Sequence, residues 1–331
     1  MFKILTGDAL THLQQLPDNV INCVVTSPPY WGLRDYGVQG VGLEPTHVEY
    51  VEHLRDIFRE VQRVLRPDGT LWLNLGDTYA GSWGAQSREP AGKHAPNVSV
   101  LSANQVKAAQ SRKSTGSLSR TPGLKRKEMV GIPWRVAFAL QSDGWYLRSE
   151  IIWAKPNTMP TSQLDRCTSA HETIFMLSKS AGYWSDFDAI KTPPRESTLV
   201  RTVQDLQSQA GSHRTPVIDK QRGHSRKHAG FNERWDAMEK REQQARPAMM
   251  RDVWFVSSGS GFKGKHFAVM PEEIARRCIL AGCPPNGIIL DPFGGAGTTA
   301  LVALKYNRHC LLIELNPAYV ELAQQRVKDL L

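Results

Sequence analysis

Val20-Ile21-Asn22-Cys23-Val24-Val25-Thr26-Ser27-Pro28-Pro29-Tyr30 runs from an apolar stretch directly into two prolines. A near-continuous apolar run of this kind is how a parallel strand buried on both faces reads. The loop at the carboxyl end of such a strand is where open α/β sheets bind ligands. Pro28 and Pro29 hold φ at about −65° and carry no N–H, and each pushes its predecessor into an extended conformation. The resulting stiff turn presents the Ser27 hydroxyl, carbonyls with no amide at 28 or 29 to quench them, and the Tyr30 ring. That surface suits a flat aromatic group bearing an NH₂. Alone, the pentapeptide reads equally well as a turn that merely ends a strand.

A second signal lies far downstream. Ile288-Ile289-Leu290-Asp291-Pro292-Phe293-Gly294-Gly295-Ala296-Gly297-Thr298-Thr299-Ala300 is a short β-rich run, a glycine turn and the start of a helical stretch. Glycines between strand and helix let a backbone approach a ligand closely, and residues 295–300 satisfy the dinucleotide fingerprint G-x-G-x-x-A. The next strand pattern, Cys310-Leu311-Leu312-Ile313, ends at Glu314, an acid placed to hold ribose hydroxyls. This half alone does not separate a nicotinamide site from an adenosylmethionine site.

Together the two motifs resemble those of the amino-group DNA methyltransferases, which carry (Asn/Asp/Ser)-Pro-Pro-(Tyr/Phe/Trp) at one strand end and a DPFxGxGTT-like turn at a neighbouring one. The catalytic motif comes first and the cofactor motif last, the permuted order of that family's β class. Further segments follow in the family's order: Ile4-Leu5-Thr6-Gly7-Asp8-Ala9-Leu10, Trp72-Leu73-Asn74-Leu75-Gly76-Asp77, Ile151-Ile152-Trp153-Ala154-Lys155-Pro156-Asn157 with His171-Glu172, and His266-Phe267-Ala268-Val269-Met270-Pro271. The resemblance implies S-adenosyl-L-methionine as cofactor, double-stranded DNA as substrate, and catalysis by Ser27, Pro28, Pro29 and Tyr30. It implies a cofactor site of Asp8, Ala9, Thr26, His266, Phe267, Pro271, Asp291, Pro292, Phe293, Gly294, Gly295, Gly297, Thr298, Thr299 and Glu314, with no metal. Serine at the head of the catalytic motif is usual among the cytosine-N4 enzymes, and asparagine or aspartate among the adenine-N6 enzymes. Cytosine N4 is therefore expected, with adenine N6 the alternative. His171 and Glu172 read equally as part of a base pocket or as a structural pair, and Asp8 and Asp77 also read as turn residues at strand ends.

Composition bounds the remaining choices. The chain has 331 residues, enough for one large α/β domain and a smaller one. No apolar run approaches the about 18 residues of a membrane span, and the opening residues enter a strand pattern directly, so neither a membrane span nor a secretory leader is expected. The five cysteines are scattered, without a C-x-x-C pair, which favours a reducing cytoplasm over structural zinc. No Pro-Cys dipeptide supplies the thiolate that cytosine-C5 methylation needs. Residues 86–128 hold nine Lys/Arg against two Asp/Glu, and residues 191–251 hold thirteen against seven, on a chain of net charge +9. Basic segments on a mildly acidic body are an electrostatic footprint for nucleic acid, although soluble basic insertions would read the same way.

The expected fold is α/β: a permuted doubly wound, Rossmann-like methyltransferase sheet with a basic target-recognition insertion. Residues 1–82 read as the first part of the catalytic half, 83–130 as a basic flexible insertion and 131–190 as the remainder of that half. Residues 191–255, with a helix around Asn232–Gln244, read as the target-recognition region, and 256–331 as the cofactor-binding half. Strands 20–26 and 287–290 are expected as neighbours. The final β-α-β should supply the centre and one flank of the sheet, and the N-terminal half the other flank. A nicotinamide oxidoreductase leaves Thr-Ser-Pro-Pro-Tyr unexplained, and a non-catalytic DNA-binding protein has no need of two intact half-sites. An RNA or protein methyltransferase is disfavoured by the basic segments and the permuted order. A bacterial or phage-encoded cytoplasmic enzyme is expected, with a homodimer and a cognate restriction endonuclease as open partner questions.

Overall fold

The computed structural model describes residues 1–32, 40–81, 120–158, 160–161, 164–192, 247–258 and 269–330. Most of the first basic segment, nearly all of the second, the helix expected near Asn232–Gln244, and His266 and Phe267 lie outside the described residues.

In chain order the elements are β1 (Phe2–Thr6), α1 (Ala9–Gln14), β2 (Ile21–Thr26), α2 (His47–Val64), β3 (Leu65–Leu75), α3 (Ile132–Ser142), β4 (Tyr146–Ala154), β5 (His171–Ser178), β6 (Val253–Phe255), α4 (Glu272–Gly282), β7 (Ile288–Asp291), α5 (Thr298–Lys305), β8 (His309–Glu314) and α6 (Pro317–Val327). The strands form one sheet in the order β1-β8-β7-β2-β3-β5-β4-β6. β2 pairs with β7 in parallel, Cys23 opposite Ile289 and Val24 opposite Leu290, so the two motif-bearing strands are neighbours, as expected. β1 departs from expectation. It is N-terminal, yet it pairs with β8 at the cofactor-side edge, Leu5 opposite Ile313 and Thr6 opposite Glu314. This register brings the loop carrying Asp8 beside Glu314.

Only β5 runs against the rest of the described sheet. It is antiparallel to both β3 and β4, while β6 runs parallel to β4. The carboxyl ends of the other strands therefore share a rim with the amino end of β5. His171 and Glu172, at the start of β5, arrive where β2, β3 and β4 finish.

α2 begins with a reciprocal capping box, in which the Thr46 side chain accepts from the Glu49 amide and the Glu49 carboxylate from the Thr46 amide. It buries Tyr50, Val51, Leu54, Ile57, Phe58 and Val61 against the sheet. Val48 stands at helical spacing with these residues but faces solvent. α2 ends at Val64, just before Pro67-Asp68-Gly69, and these three residues lie inside β3. β3 already starts at Leu65, opposite Ile21, and the register with β2 shifts before Cys23 pairs with Thr70. An irregularity of that kind is where a strand tolerates proline, and Arg66–Asp68 are exposed there. Residues 253–255, the end of the stretch read as the recognition region, form β6, the outer strand beside β4. The sheet and its helices form a compact unit of residues 1–186 and 251–331. Residues 187–250 cluster as a second unit, whose described part includes a 3-10 turn at Phe187–Ile190 and an antiparallel bridge between Thr192 and Ala248.

Candidate active site

The catalytic turn is braced from below and open above. Thr26 ends β2 fully buried, and its hydroxyl donates to Asp291 Oδ1 at 2.7 Å. The Tyr50 hydroxyl, on α2, donates to the Pro29 carbonyl at 3.0 Å. That carbonyl is thus already satisfied, which the proline pattern did not show. The Pro28 carbonyl has no partner among the described residues and remains available as an acceptor.

Ser27 and Tyr30 belong to a polar cluster at the sheet rim. The Ser27 hydroxyl donates to Tyr30 Oη at 3.4 Å, and the Tyr30 hydroxyl donates to Glu172 Oε2 at 2.5 Å. Asn74 Nδ2, near the end of β3, donates to both Tyr30 Oη and Glu172 Oε2 at 2.9 Å. The Lys155 ammonium, just past β4, pairs with Glu172 Oε1 and also lies 4.5 Å from the centre of the Trp153 ring. Burial and the neighbouring Glu172 carboxylate push the Tyr30 phenol well above its ordinary range. One edge of its ring sits on Gly76, where a Cβ would lie 2.6 Å from Tyr30 Cε2. Asn74 is almost fully buried, and its Oδ1 has no partner among the described residues. Such an unmet acceptor costs about 1–3 kcal/mol.

The cofactor-side turn lies against the same rim. Gly295 and Gly297 have φ of 49° and 75°, the left-handed region that glycine enters without penalty. At Gly297 a Cβ would also stand 2.7 Å from the Ala323 Cβ on α6. Glu314 ends β8 with both oxygens engaged, Oε2 accepting from the Gly295 amide at 2.7 Å and Oε1 from the Asn316 amide at 2.8 Å. Burial raises its carboxyl above the ordinary range against the pull of those amides. Asp291 is enclosed: Thr26 and Thr299 donate to its two oxygens at 2.7 Å, and the Phe293 amide adds a third bond at 3.1 Å. Burial still pushes it up to about 6. Asp8 caps α1, accepting from the Thr11 amide and hydroxyl at 2.9 Å. Asp77 accepts from the Gly131 and Ile132 amides at the start of α3.

One cavity of about 750 Å³ connects these parts. On one side it is lined by Ser27, Pro28, Pro29 and Tyr30 with Asn74, Lys155, His171 and Glu172. On the other it meets Asp8, Ala9 and Pro271, the turn from Asp291 to Gly295, then Thr298, Thr299 and Glu314. Thr26 and Gly297 do not line it but brace residues that do. Motifs 265 residues apart at Thr26 and Asp291 are thus joined by a hydrogen bond behind a shared wall.

Residues 21–325 match the N6/N4 methyltransferase family model, described as DNA methylase. The chain belongs to this family. It is a DNA methylase. It is 40% identical over 98% of its length to the type II methyltransferase M.SmaI of Serratia marcescens, covering 90% of that protein. It is equally similar to M.Cfr9I of Citrobacter freundii, covering 87% of it. Among solved structures, the cytosine-N4-specific PvuII DNA methyltransferase superposes with a TM-score of 0.60 at 18% identity, over 98% of this chain and 86% of the other. A putative DNA modification methylase of Thermus thermophilus, complexed with S-adenosyl-L-methionine, gives 0.54 at 19% identity, over 100% and 94%. These likenesses establish a shared fold, a Rossmann-like methyltransferase sheet.

Sequence reading of the methylase missed Asn74, Lys155 and Gly76 as parts of the cluster. A signal existed for the first, since Asn74 interrupts the apolar run Leu71–Leu75, and a lone amide in a buried strand calls for a partner. Gly76 carried none, because its role depends on where the Tyr30 ring comes to rest. Cys23, Cys278, Cys283 and Cys310 are buried away from the cavity with thiols pushed up by burial, and Cys167 is exposed but does not line it.

Proposed function

We propose that this DNA methyltransferase modifies the exocyclic amine of a base flipped out of duplex DNA, with cytosine N4 as the target. The observation that carries this reading is the single cavity in which Ser27 and Tyr30 face the glycine turn and Glu314. The methyl donor is S-adenosyl-L-methionine, which supplies an electrophilic sulfonium methyl group. Gly294, Gly295, Glu314, Asp8, Ala9 and Pro271 hold it, together with His266 and Phe267. The fit rests on the turn's bare backbone and on the free lone pairs that the Glu314 oxygens keep for ribose hydroxyls.

An exocyclic amine is a poor nucleophile because its lone pair is delocalised into the ring. The Ser27 oxygen and the Pro28 carbonyl accept its two N–H bonds, which turns the lone pair toward the methyl group, and the Tyr30 ring supports the base. Rate enhancement then comes from alignment and water exclusion. Flipping costs a few kcal/mol, and stacking on one aromatic ring returns about 1–3 kcal/mol of it. No cysteine lines the cavity among the described residues, so a covalent thiolate adduct has no place in this reading. The PvuII enzyme, whose name specifies cytosine N4, and the serine at position 27 both favour cytosine over adenine. The basic segments 86–128 and 191–251 hold the DNA backbone, and 191–255 read the target sequence. A cytoplasmic setting, a homodimer and a cognate restriction endonuclease complete the proposal, in keeping with the type II designation of the relatives. Among the described residues no helix is long and apolar enough to cross a membrane. The test is digestion of methylated duplex DNA to nucleosides and identification of the modified one by mass.

A further inference from the structure

Methylation of an exocyclic amine leaves a surplus proton. The new N–CH₃ bond gives the nitrogen a positive charge and two hydrogens, one of which must depart. Ser27 is too weak a base to keep it.

The cluster beside Ser27 has a direction. Ser27 Oγ lies 3.4 Å from Tyr30 Oη, a link longer than the about 2.5–3.0 Å of a good O–H···O bond that must tighten when the base enters, and Tyr30 Oη–H points to Glu172 Oε2 at 2.5 Å. With its hydrogen turned toward Tyr30, Ser27 presents lone pairs to whatever enters the cavity. Asn74 Nδ2 reaches all three oxygens, at 2.9 Å from Tyr30 Oη and Glu172 Oε2 and 3.5 Å from Ser27 Oγ, so it ties the chain together, and a neutral amide is too weak a base to hold the proton itself. Lys155 holds the other carboxylate oxygen. A buried phenol beside a carboxylate resists ionisation, so Tyr30 suits a conduit and not a terminus. Glu172 is the only carboxylate in the hydrogen-bonded chain that begins at Ser27 among the described residues. Its side chain is 16% exposed and that of Lys155 21%, which leaves an exit to solvent.

We propose that Ser27, Tyr30 and Glu172 form a proton relay that carries the surplus proton of the methylated amine away from the base. The inference rests on the reading that Ser27 receives the target amine. The balance closes without any added reactant. The methyl carbon bonds to nitrogen through the amine lone pair, and the electrons of the broken carbon–sulfur bond stay on sulfur. One N–H bond then breaks with its electrons left on nitrogen. Its proton joins Ser27 Oγ as the serine hydrogen passes to Tyr30 Oη and the tyrosine hydrogen to Glu172 Oε2. Amine, serine and tyrosine end neutral and Glu172 ends protonated, to be discharged to water when the site opens. Lys155 and Asn74 are positioning residues in this scheme.

Two variants separate a relay from a scaffold. Glu172→Gln keeps an acceptor for Tyr30 Oη but removes the proton sink, and Tyr30→Phe keeps the ring but breaks the chain. Each is compared with the native enzyme in single-turnover methylation of duplex DNA in H₂O and D₂O. Fluorescence of 2-aminopurine beside the target reports flipping, and difference infrared spectroscopy reports protonated carboxyl. The relay predicts a solvent isotope effect and a transient protonated-carboxyl band in the native enzyme, with both lost in Glu172→Gln. It also predicts turnover down by about 10²-fold in both variants, with the flipping signal and cofactor affinity retained. Native turnover and an unchanged isotope effect in Glu172→Gln would overturn it. Should that variant not fold, the same result in Tyr30→Phe would do so. A native product other than an N-methylated base would bring down the underlying reading as well, whereas an N-methylated product with unaffected variants defeats the relay alone.

Discussion

Asp291→Asn should flatten part of the protein's pH–stability curve by a calculable amount. Asp291 forms part of the cavity wall at the end of β7 yet is only 4% exposed, with three hydrogen bonds to its carboxylate. Burial outweighs those bonds and raises it from 3.8 to about 6. A carboxyl raised on folding stabilises the native state while it is protonated, and that stabilisation is lost as pH rises from the unfolded value through the folded one. The gap corresponds to ~3 kcal/mol in full, of which ~2.5 kcal/mol falls between pH 4 and pH 8. Asparagine can accept from one threonine hydroxyl and donate to the other, so its direct effect is a constant offset. Urea unfolding of both proteins at intervals across that range isolates the difference. The unfolding free energy of Asp291→Asn minus that of the native protein should rise by ~2.5 kcal/mol from pH 4 to pH 8, and level off above about pH 7. Glu314, raised in the same direction, is present in both proteins and largely cancels. Parallel curves would defeat this prediction and mean that Thr26 and Thr299 hold the carboxylate near its ordinary value.

Gly76→Ala places a Cβ against the Tyr30 ring, so methyl transfer should fall about tenfold or more while cofactor affinity by calorimetry stays unchanged. Glu314→Ala removes the partner of the Gly295 and Asn316 amides and should weaken cofactor binding by about tenfold, or ~1.4 kcal/mol, in the same calorimetric assay. Gly297→Val forces a β-branched side chain into the left-handed region and onto Ala323. It should destabilise the fold by at least about 1–2 kcal/mol in urea titration. Neutralising arginines in 191–251 should weaken DNA binding and lower its salt slope by roughly one unit per lost phosphate contact, measured by binding titrations across salt concentrations.

Much of the sheet was legible because buried parallel strands and amphipathic helices leave different periods in a sequence. The limits of α4 and the pairing of β2 with β7 follow from such patterns and from the need to bring two motifs to one rim. Strand direction left no comparable trace. Nothing in His171–Ser178 marks it as antiparallel, because a strand buried on both faces reads the same in either sense. That direction is what carries Glu172 to the rim beside Tyr30. β6 is three residues long, too short for any period, and β1 joins β8 through contacts of high sequence separation. The site divides in the same way. Prolines and glycines betray their positions through backbone constraint, whereas Asn74 and Lys155 gain meaning only once three strand ends meet, and only then is the open reading of Glu172 narrowed.

Methylation of an exocyclic amine at the Ser27–Tyr30 turn underlies every step of this mechanism, and the nucleoside product decides it. Duplex DNA modified by the native protein, digested and resolved by mass spectrometry and chromatography, should yield N4-methylcytosine. N6-methyladenine would keep the chemistry and change the base. 5-Methylcytosine, or full native yield from a Ser27→Ala, Tyr30→Ala double variant, would contradict the mechanism.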